Sequence, residues 1–345
     1  MVIESQYKAT KVDVECFSMP FLAKHALELY DNFNQKDFLA DITTIDAFVP
    51  MCNMIYQSFH KPLPKVSCIS IEKKHIDADD GKNVVLGFSA GLDSVYQALL
   101  LKECGYNVHL FFAKNINTYE NGQAWKYAQT IANKLNMDLI DASVKKDLRK
   151  GDNANAFRQH WPENPMKNQL IMSMMVDLCL ERGWQYISLG DDFDLTLDMA
   201  VPGVNTTDAK EVTMSFLNGI KPYVEGLKFI PIPKGYDKGK RLVKIVSYGL
   251  ENDYYSCVQS GRFNKSFRKR MEDKYSVQLF GNNCGCCRKC CMHDLILHYS
   301  GQKTFPDAFI SHCWEKMHST GCKADYEFFK PDLPLDKRIA NLFSY

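Results

Sequence analysis

The sequence predicts an α/β protein: a doubly wound parallel sheet with an N-terminal extension and a C-terminal helical region that binds metal. Three observations predict it. Apolar, β-preferring runs alternate with helical segments across residues 84–190 at the spacing of successive βαβ units. The first of these runs stops at Ser89-Ala90-Gly91-Leu92-Asp93-Ser94, directly before a helical segment, which is the arrangement of an anion site. Five of the thirteen cysteines fall within 284–291; with no export-type leader in view, clustered cysteines read as metal ligands rather than disulfides.

At 345 residues the chain has room for one large or two moderate domains. The expected division is 1–80, an α+β extension; 81–252, the nucleotide-binding α/β domain; and 253–345, the metal-binding helical region. Composition is ordinary for a globular protein, with 46% hydrophobic and 24% charged residues. A formal charge of +1 gives no strong global field, so neither nucleic acid nor a membrane surface is an expected partner. No apolar run approaches the ~18–20 residues of a membrane span. The first fifteen residues lack the apolar core of a signal peptide, and a cytoplasmic location is expected.

Residues 1–80 hold no chemical motif. Segments 21–33 and 43–59 have helix-compatible apolar residues, the second including Pro50, and 65–73 reads as a short strand of imperfect alternation. This prefix either packs on the core or offers a partner protein a docking surface. Val84 to Phe88 then form a buried strand, and 95–104 a helix. Unpaired N–H groups of the helix's first turn and the helix dipole favour an anion in the turn between them. Ser89 and Ser94 add hydroxyl donors, Gly91 admits close approach of a phosphate, and Ala90 is small enough to be tolerated where the backbone angles are ordinary. No G-x-x-x-x-G-K-[ST] occurs, so this is not the common P-loop.

Strand 105–115, helix 120–136, strand 137–144, helix 164–183 and strand 184–190 follow. In the helical segment 164–183 Pro165 suits the start, Gly183 the end, and Leu170, Ile171, Met174, Met175, Leu178 and Cys179 a broad apolar face. Ligands bind beyond the carboxyl ends of such strands. Phe88 to Ser94, Gln123 after the second strand and Gly190 after the fourth therefore make the candidate cofactor-binding set. Asp191, Asp192 and Asp194 could hold Mg²⁺ there through water, although an acidic loop is also an ordinary solvated turn. Residues 203–212 read as a polar connection, and 229–252 as a short strand, a basic turn and a helix from about Gly239 to Gly249.

Cys284, Cys287 and Cys290 stand as C-x-x-C-x-x-C, with Gly285 freeing the turn. Three such thiolates and a fourth, chosen here as Cys257, complete the tetrahedron that Zn²⁺ prefers; Cys286, Cys291 and His293 remain alternatives. An Fe–S cluster is the competing cofactor. Between Cys257 and Cys284, residues 258–283 carry six basic side chains against two acids. They form either a solvated helical face or a contact for phosphate, nucleic acid or an acidic partner.

Residues 89–94 resemble the S-G-G-x-D-S signature of the PP-loop ATP pyrophosphatase superfamily, with Ala90 in place of the first glycine. With the cysteines added, the chain resembles the 7-cyano-7-deazaguanine synthase family over roughly 84–292. Gly122-Gln123, Lys167-Asn168, Lys240, Ser256-Cys257 and Cys284-Gly285-x-Cys287-x-x-Cys290 match its motifs in order. The resemblance implies cleavage of ATP, with Mg²⁺, between its α- and β-phosphates. It also implies adenylation of a 7-carboxy-7-deazaguanine-like acid for attack by ammonia or an amine, giving amide, nitrile or conjugate. Ser89, Asp93, Lys167 and Lys240 are the catalytic residues it implies, Asn168 joins the nucleotide set, and Cys257, Cys284, Cys287 and Cys290 are its zinc ligands. The sequence departs from the family at Ala124-Trp125-Lys126-Tyr127, in the long 258–283 link and in the prefix. Relatives with a prefix occur in antiphage gene clusters, where a deazaguanine is attached to a protein; residues 1–80 or 258–283 would then meet that protein, and a homodimer is compatible. The competing expectations are a tRNA-modifying PP-loop enzyme (sulfur transfer or lysidine-type) and a non-catalytic nucleotide-binding scaffold.

Overall fold

The computed structural model describes residues 5–6, 9–13, 22–26, 29, 39–58, 61–77, 81–114, 122–143, 163–190, 216–232, 238–255, 257 and 261–319. Its centre is a seven-stranded sheet. Strand β6 (Asn83–Gly87) lies in the middle, with β7 (Asn107–Lys114) and then β8 (Asp138–Ser143) on one side, and β9 (Tyr186–Leu189) and then β11 (Lys228–Ile230) on the other. All of these neighbours pair in parallel. The chain thus moves outward from β6 and returns to its other flank, so the strand order reverses beside β6. A ligand site beyond the carboxyl ends of the strands is favoured at such a reversal.

Side-chain alternation divides the core between the two faces of the sheet. Val84, Leu86, Leu110, Phe112 and Leu139 enter one cluster with α2 (Leu92–Glu103), α3 (Gly122–Leu135), α5 (Lys238–Ser247), α7 (Arg288–Tyr299) and α8 (Asp307–Ser319). Val85, Phe111, Ala113, Ile140 and Ala142 enter the other with α4 (Glu163–Arg182) and residues of the prefix such as Leu22, Phe48 and Tyr56. Helix α6 (Gly261–Tyr275) lies between these C-terminal elements in sequence. No helix among the described residues is long and apolar enough to cross a membrane.

The prefix differs from its expected form. Segment 43–59 is not one helix: Asp41–Thr44 is strand β3, paired in parallel with β4 (Lys65–Cys68), followed by a 3-10 turn at Asp46–Phe48 and then α1 (Val49–Ser58). Ile42 and Thr44 alternate inward from β3 while their neighbours face solvent, a period of two that the adjoining helical run disguises. Pro50 falls in the first turn of α1, where its missing N–H leaves no bond unmade. Strand β2 (Ala9–Asp13) adds in parallel to β8, β1 (Ser5–Gln6) pairs antiparallel with β2, and β5 (Lys74–His75) pairs with β10 (Val224–Glu225).

Asp177 ties the prefix to α4. Its two carboxylate oxygens accept the backbone N–H groups of Leu22 and Ala23 at 3.3 and 2.9 Å, capping the helical residues 22–26 from a distance of more than 150 positions in sequence. Burial outweighs these bonds and pushes the carboxyl up to about 7. A carboxyl raised in the folded state holds its proton there after the unfolded chain has released it. Its contribution is therefore complete below the usual carboxylate range and is lost as pH rises toward about 7. Asp177→Asn does not titrate, and its amide nitrogen cannot accept the second N–H; it is expected to lower the urea midpoint at pH 4 and to abolish the fall in midpoint that the parent shows between about pH 4 and pH 7.

Candidate active site

Strand β6 delivers the chain into the turn at its carboxyl end. The N–H of Phe88 still donates to the carbonyl of Phe111 at 2.8 Å, and the ladder then ends. Helix α2 starts at Leu92, three residues before the sequence suggests, so Leu92, Asp93 and Ser94 are its first turn. Gly91 is the N-cap and supplies no side-chain cap. The N–H groups of that turn have no intrahelical acceptor and point beyond the strand ends.

The turn is held by its own hydroxyls. The N–H of Gly91 donates to Ser89 Oγ at 3.2 Å, that of Ser89 donates to Ser94 Oγ at 3.3 Å, and Ser94 Oγ donates to the carbonyl of Gly91 at 3.1 Å. From outside, the N–H of Tyr255 donates to the carbonyl of Ala90 at 2.6 Å. Ala90 does not meet the condition of ordinary backbone angles. Its φ is +58°, a left-handed conformation that costs an L-residue about 1–2 kcal/mol and that glycine adopts freely. A position that is glycine in the signature thus keeps glycine's geometry with alanine in place.

Gly190 meets a different demand. A Cβ there would lie 2.5 Å from Ser94 Cα and 2.6 Å from Ser94 N, so the end of β9 can pass the first turn of α2 only without a side chain.

Arg241 completes this site, and the sequence reading missed it. Its Nη1 donates to Asp93 Oδ1 at 2.9 Å, and its side chain is 2% exposed, over the ring of Tyr96. The neighbouring Lys240, marked from the sequence, is exposed on α5. Nothing in a basic run such as Lys238-Gly239-Lys240-Arg241 says which cation turns inward; that is fixed by the apolar positions Leu242 and Ile245, which bury α5 on one side. Lys167 and Asn168 fall in the first turns of α4, and their side chains lie outside the described residues, as do Asp191, Asp192 and Asp194. Gln123 lies in the first turn of α3, on the wall of a cleft of about 430 Å³ shared with Lys126, Tyr127, Thr130, Asp253, Lys265, Arg268 and Asn282.

The thiols of Cys257, Cys284, Cys287 and Cys290 converge. Their sulfurs all lie within 4.8 Å of one another, all four residues are buried, and Cys257 Sγ is 4.0 Å from Cys287 Sγ. Metal–sulfur bonds of about 2.3 Å in a tetrahedron give sulfur–sulfur edges of about 3.8 Å, so the four fit one tetrahedral ion. An iron–sulfur cubane, whose thiolates bind separate irons, needs them further apart. Cys257, foremost among the neighbouring thiols, donates toward Cys284 and holds that thiol below its ordinary range, while Cys290 is pushed up. Ionising all four side by side requires a cation among them. The alternatives go elsewhere: Cys291 Sγ contacts the carbonyl of Gly285 at 3.6 Å, and His293 is fully buried with Nδ1 3.1 Å from Tyr254 Oη. Cys286 is half-buried, 3.5 Å from Cys284, outside the group of four.

Residues 82–157 match the family model described as tRNA methyl transferase HUP domain. Over 136 residues the chain is 29% identical to the tRNA-specific 2-thiouridylase MnmA of Protochlamydia amoebophila, covering 36% of this chain and 36% of that protein. The chain therefore spans about a third of that relative's length. Among solved structures, the U34-tRNA thiolase NcsA from Methanococcus maripaludis with its [4Fe-4S] cluster is 16% identical, with a TM-score of 0.35, covering 57% of this chain and 68% of that one. The similarity to a HUP domain thus covers the segment that holds β6, the turn after it and α2.

Two glycine substitutions should separate the left-handed position from an ordinary one. Ala98→Gly, inside α2 and fully buried, loses helix propensity and a methyl group, about 2 kcal/mol together. Ala90→Gly loses a methyl group but sheds the strain, and its urea midpoint is expected to stay at or above the parent's. A 2 kcal/mol loss at both positions would contradict this account.

Proposed function

We propose that the chain is an ATP-dependent, AMP-forming enzyme that adenylates an oxygen of its acceptor. The observation that carries this reading is the uncapped first turn of α2 at the carboxyl end of β6, walled by Gly190 and braced by the buried Asp93–Arg241 pair. An acceptor oxygen attacks the α-phosphorus, the bond to the bridging oxygen of the β-phosphate breaks, and pyrophosphate leaves with that electron pair. The N–H groups of Leu92 to Ser94 and the dipole of α2 meet the charge that builds on the leaving group. Ser89 and Ser94 supply hydroxyls to the same phosphates. Arg241 aims Asp93 through its 2.9 Å bond. Mg²⁺ carried in with the nucleotide would add positive charge there, with Asp93 the carboxylate inside the loop to hold it. Lys167 and Lys240 are further candidates for a point charge at the phosphates.

Two observations favour different acceptors. The similarity to a tRNA-specific 2-thiouridylase over 136 residues favours modification of a tRNA base. The closed set of four buried thiols, together with the family motifs in order, favours a 7-carboxy-7-deazaguanine-like acid converted to an amide, nitrile or protein conjugate. In both, Zn²⁺ at the four thiolates is structural: a site with no open position holds chain segments together and takes no part in group transfer.

Pyrophosphate release separates the acceptors. The full chain with ATP and Mg²⁺ should release it only when tRNA, or only when 7-carboxy-7-deazaguanine with ammonia, is added. Asp93→Ala and Ser89→Ala are expected to lower the rate at least ~100-fold, as loss of a charge-stabilising group does. Undiminished turnover in either would remove the loop from the chemistry, and ATP binding with no AMP formed under any condition would leave a nucleotide-binding scaffold. Gly190→Ala should abolish ATP binding while leaving the circular dichroism spectrum intact. For the thiolate site, the parent should carry about one zinc per chain and Cys284→Ser little; iron with acid-labile sulfide would contradict the zinc assignment.

A further inference from the structure

Two of the three places where the chain departs from the family it resembles meet in space. Lys126 and Tyr127 come from the stretch after Gln123, and Lys265 and Arg268 come from the long insertion between Cys257 and Cys284. Together they line the cleft of about 430 Å³ that also holds Gln123. This cleft adjoins the nucleotide turn through one residue. Tyr255 donates its N–H to Ala90 within the turn, and its ring lies 5.7 Å from that of Tyr127 on the cleft wall.

The cleft and the helix beside it are basic. Asp253, the one acid on the wall, is already paired with Lys134 at 2.5 Å. Arg268 is occupied with Glu272 and with the carbonyls of Leu279 and Gly281. Among the described residues no carboxylate pairs with Lys126 or Lys265. Beyond them, Lys269, Arg270 and Lys274 line a second, open groove along α6 that contains Asp273. Lys126, Lys265, Lys269, Arg270 and Lys274 are all exposed. One small acid needs one or two cations. Four, spread along a helix of 15 residues that spans about 22 Å, with Lys126 on α3 across the cleft, suit a row of phosphates. The whole-chain charge of +1 conceals this, because acids elsewhere balance a patch that is locally positive.

The basic helix is also rigidly held. Phe267 packs against the four-thiol cluster, and Met271 and Leu279 close over Gly285, whose φ of +64° and tight surroundings admit no side chain. The chain leaves the metal site at Cys257, forms α6 and returns at Cys284. An ion bound by the four thiolates would therefore clamp both ends of the insertion and hold α6 beside the cleft it shares with α3.

We propose that α6 and the Lys126–Lys265 cleft form the docking surface for the phosphate backbone of an RNA, which presents its base to the nucleotide turn. This rests on the tRNA reading above for the chemistry, but not for the binding. The test is anisotropy titration of a fluorescent, unmodified tRNA transcript with the full metal-loaded chain, without ATP, across a salt series. The parent should show log K falling with log salt at a slope of about −3 to −4. Lys126→Glu, Lys265→Glu and Lys269→Glu combined should weaken binding more than about tenfold at low salt and flatten the slope by about 2 to 3. ATP binding and the melting temperature serve as controls, since none of these side chains belongs to the nucleotide turn. Unchanged RNA affinity in the triple variant would overturn the proposal. So would absent RNA binding by a chain that binds ATP, or displacement of RNA by poly-glutamate at equal charge, which would mark an acidic protein as the partner. If the variants leave RNA untouched but raise KM for 7-carboxy-7-deazaguanine, the cleft is a small-acid pocket and the proposal is wrong. Chelation of the metal should release RNA before it releases ATP. Failure of adenylation alone would leave the binding result standing.

Discussion

A guanidinium that has lost its water needs an anion, and here it finds one inside the nucleotide turn. The Arg241–Asp93 pair joins α5, late in the chain, to the first turn of α2. Removing Asp93 would leave the buried guanidinium charged without its anion, whereas Asp93, 21% exposed, keeps some access to water if Arg241 is lost. The pair therefore fixes more than one side chain. It keeps Asp93 in one orientation, and holds α5 on the sheet beside the turn, where Leu242 and Ile245 fill the core. The nearby latch from Tyr255 to Ala90 comes from the same part of the chain. The C-terminal half thus does not merely follow the nucleotide domain; it finishes building it.

The thiolate site extends that arrangement outward. Four sulfurs drawn from two places, 27 residues apart at the widest gap between successive ligands, would make, with an ion among them, a cross-link whose strength depends on that ion instead of a covalent bond. Its effect reaches past its ligands, since α6 rests on it through Phe267 and Met271. An exposed helix this rich in like charges repels itself and would be weak alone. Anchored at both ends, it keeps its shape and presents the charges in a fixed row.

Much of the central sheet was legible because parallel strands buried on both faces leave a plain mark: short apolar runs cut off by Gly, Asn or Asp. Strands β6 to β9 and the helices between them lie within a few residues of where those runs place them. The convergence of Cys257 with Cys284, Cys287 and Cys290 was legible for a chemical reason, as thiols at that spacing have few other uses. The prefix was not. Asp41–Thr44 is too short to assert a period of two beside a helical run, and the addition of Ala9–Asp13 to β8 depends on a partner far along the chain. Arg241 was hidden because charged residues are exposed by default, and only tertiary contacts turn one inward. The left-handed angle at Ala90 was hidden for the opposite reason: alanine in a sequence carries no sign of strain.

The pairing of β2 with β8 has a consequence for how the protein is made. Ala9 sits opposite Leu139, so the first of these strands leaves the ribosome roughly 130 residues ahead of its neighbour. At about 5–20 residues per second, that is a wait on the order of ten seconds with a row of unpaired backbone groups on offer. Its docking must also come late, after β6, β7 and β8 have formed a ledge to receive it. Nascent chains halted shortly before residue 138 would then be the species most in need of a chaperone.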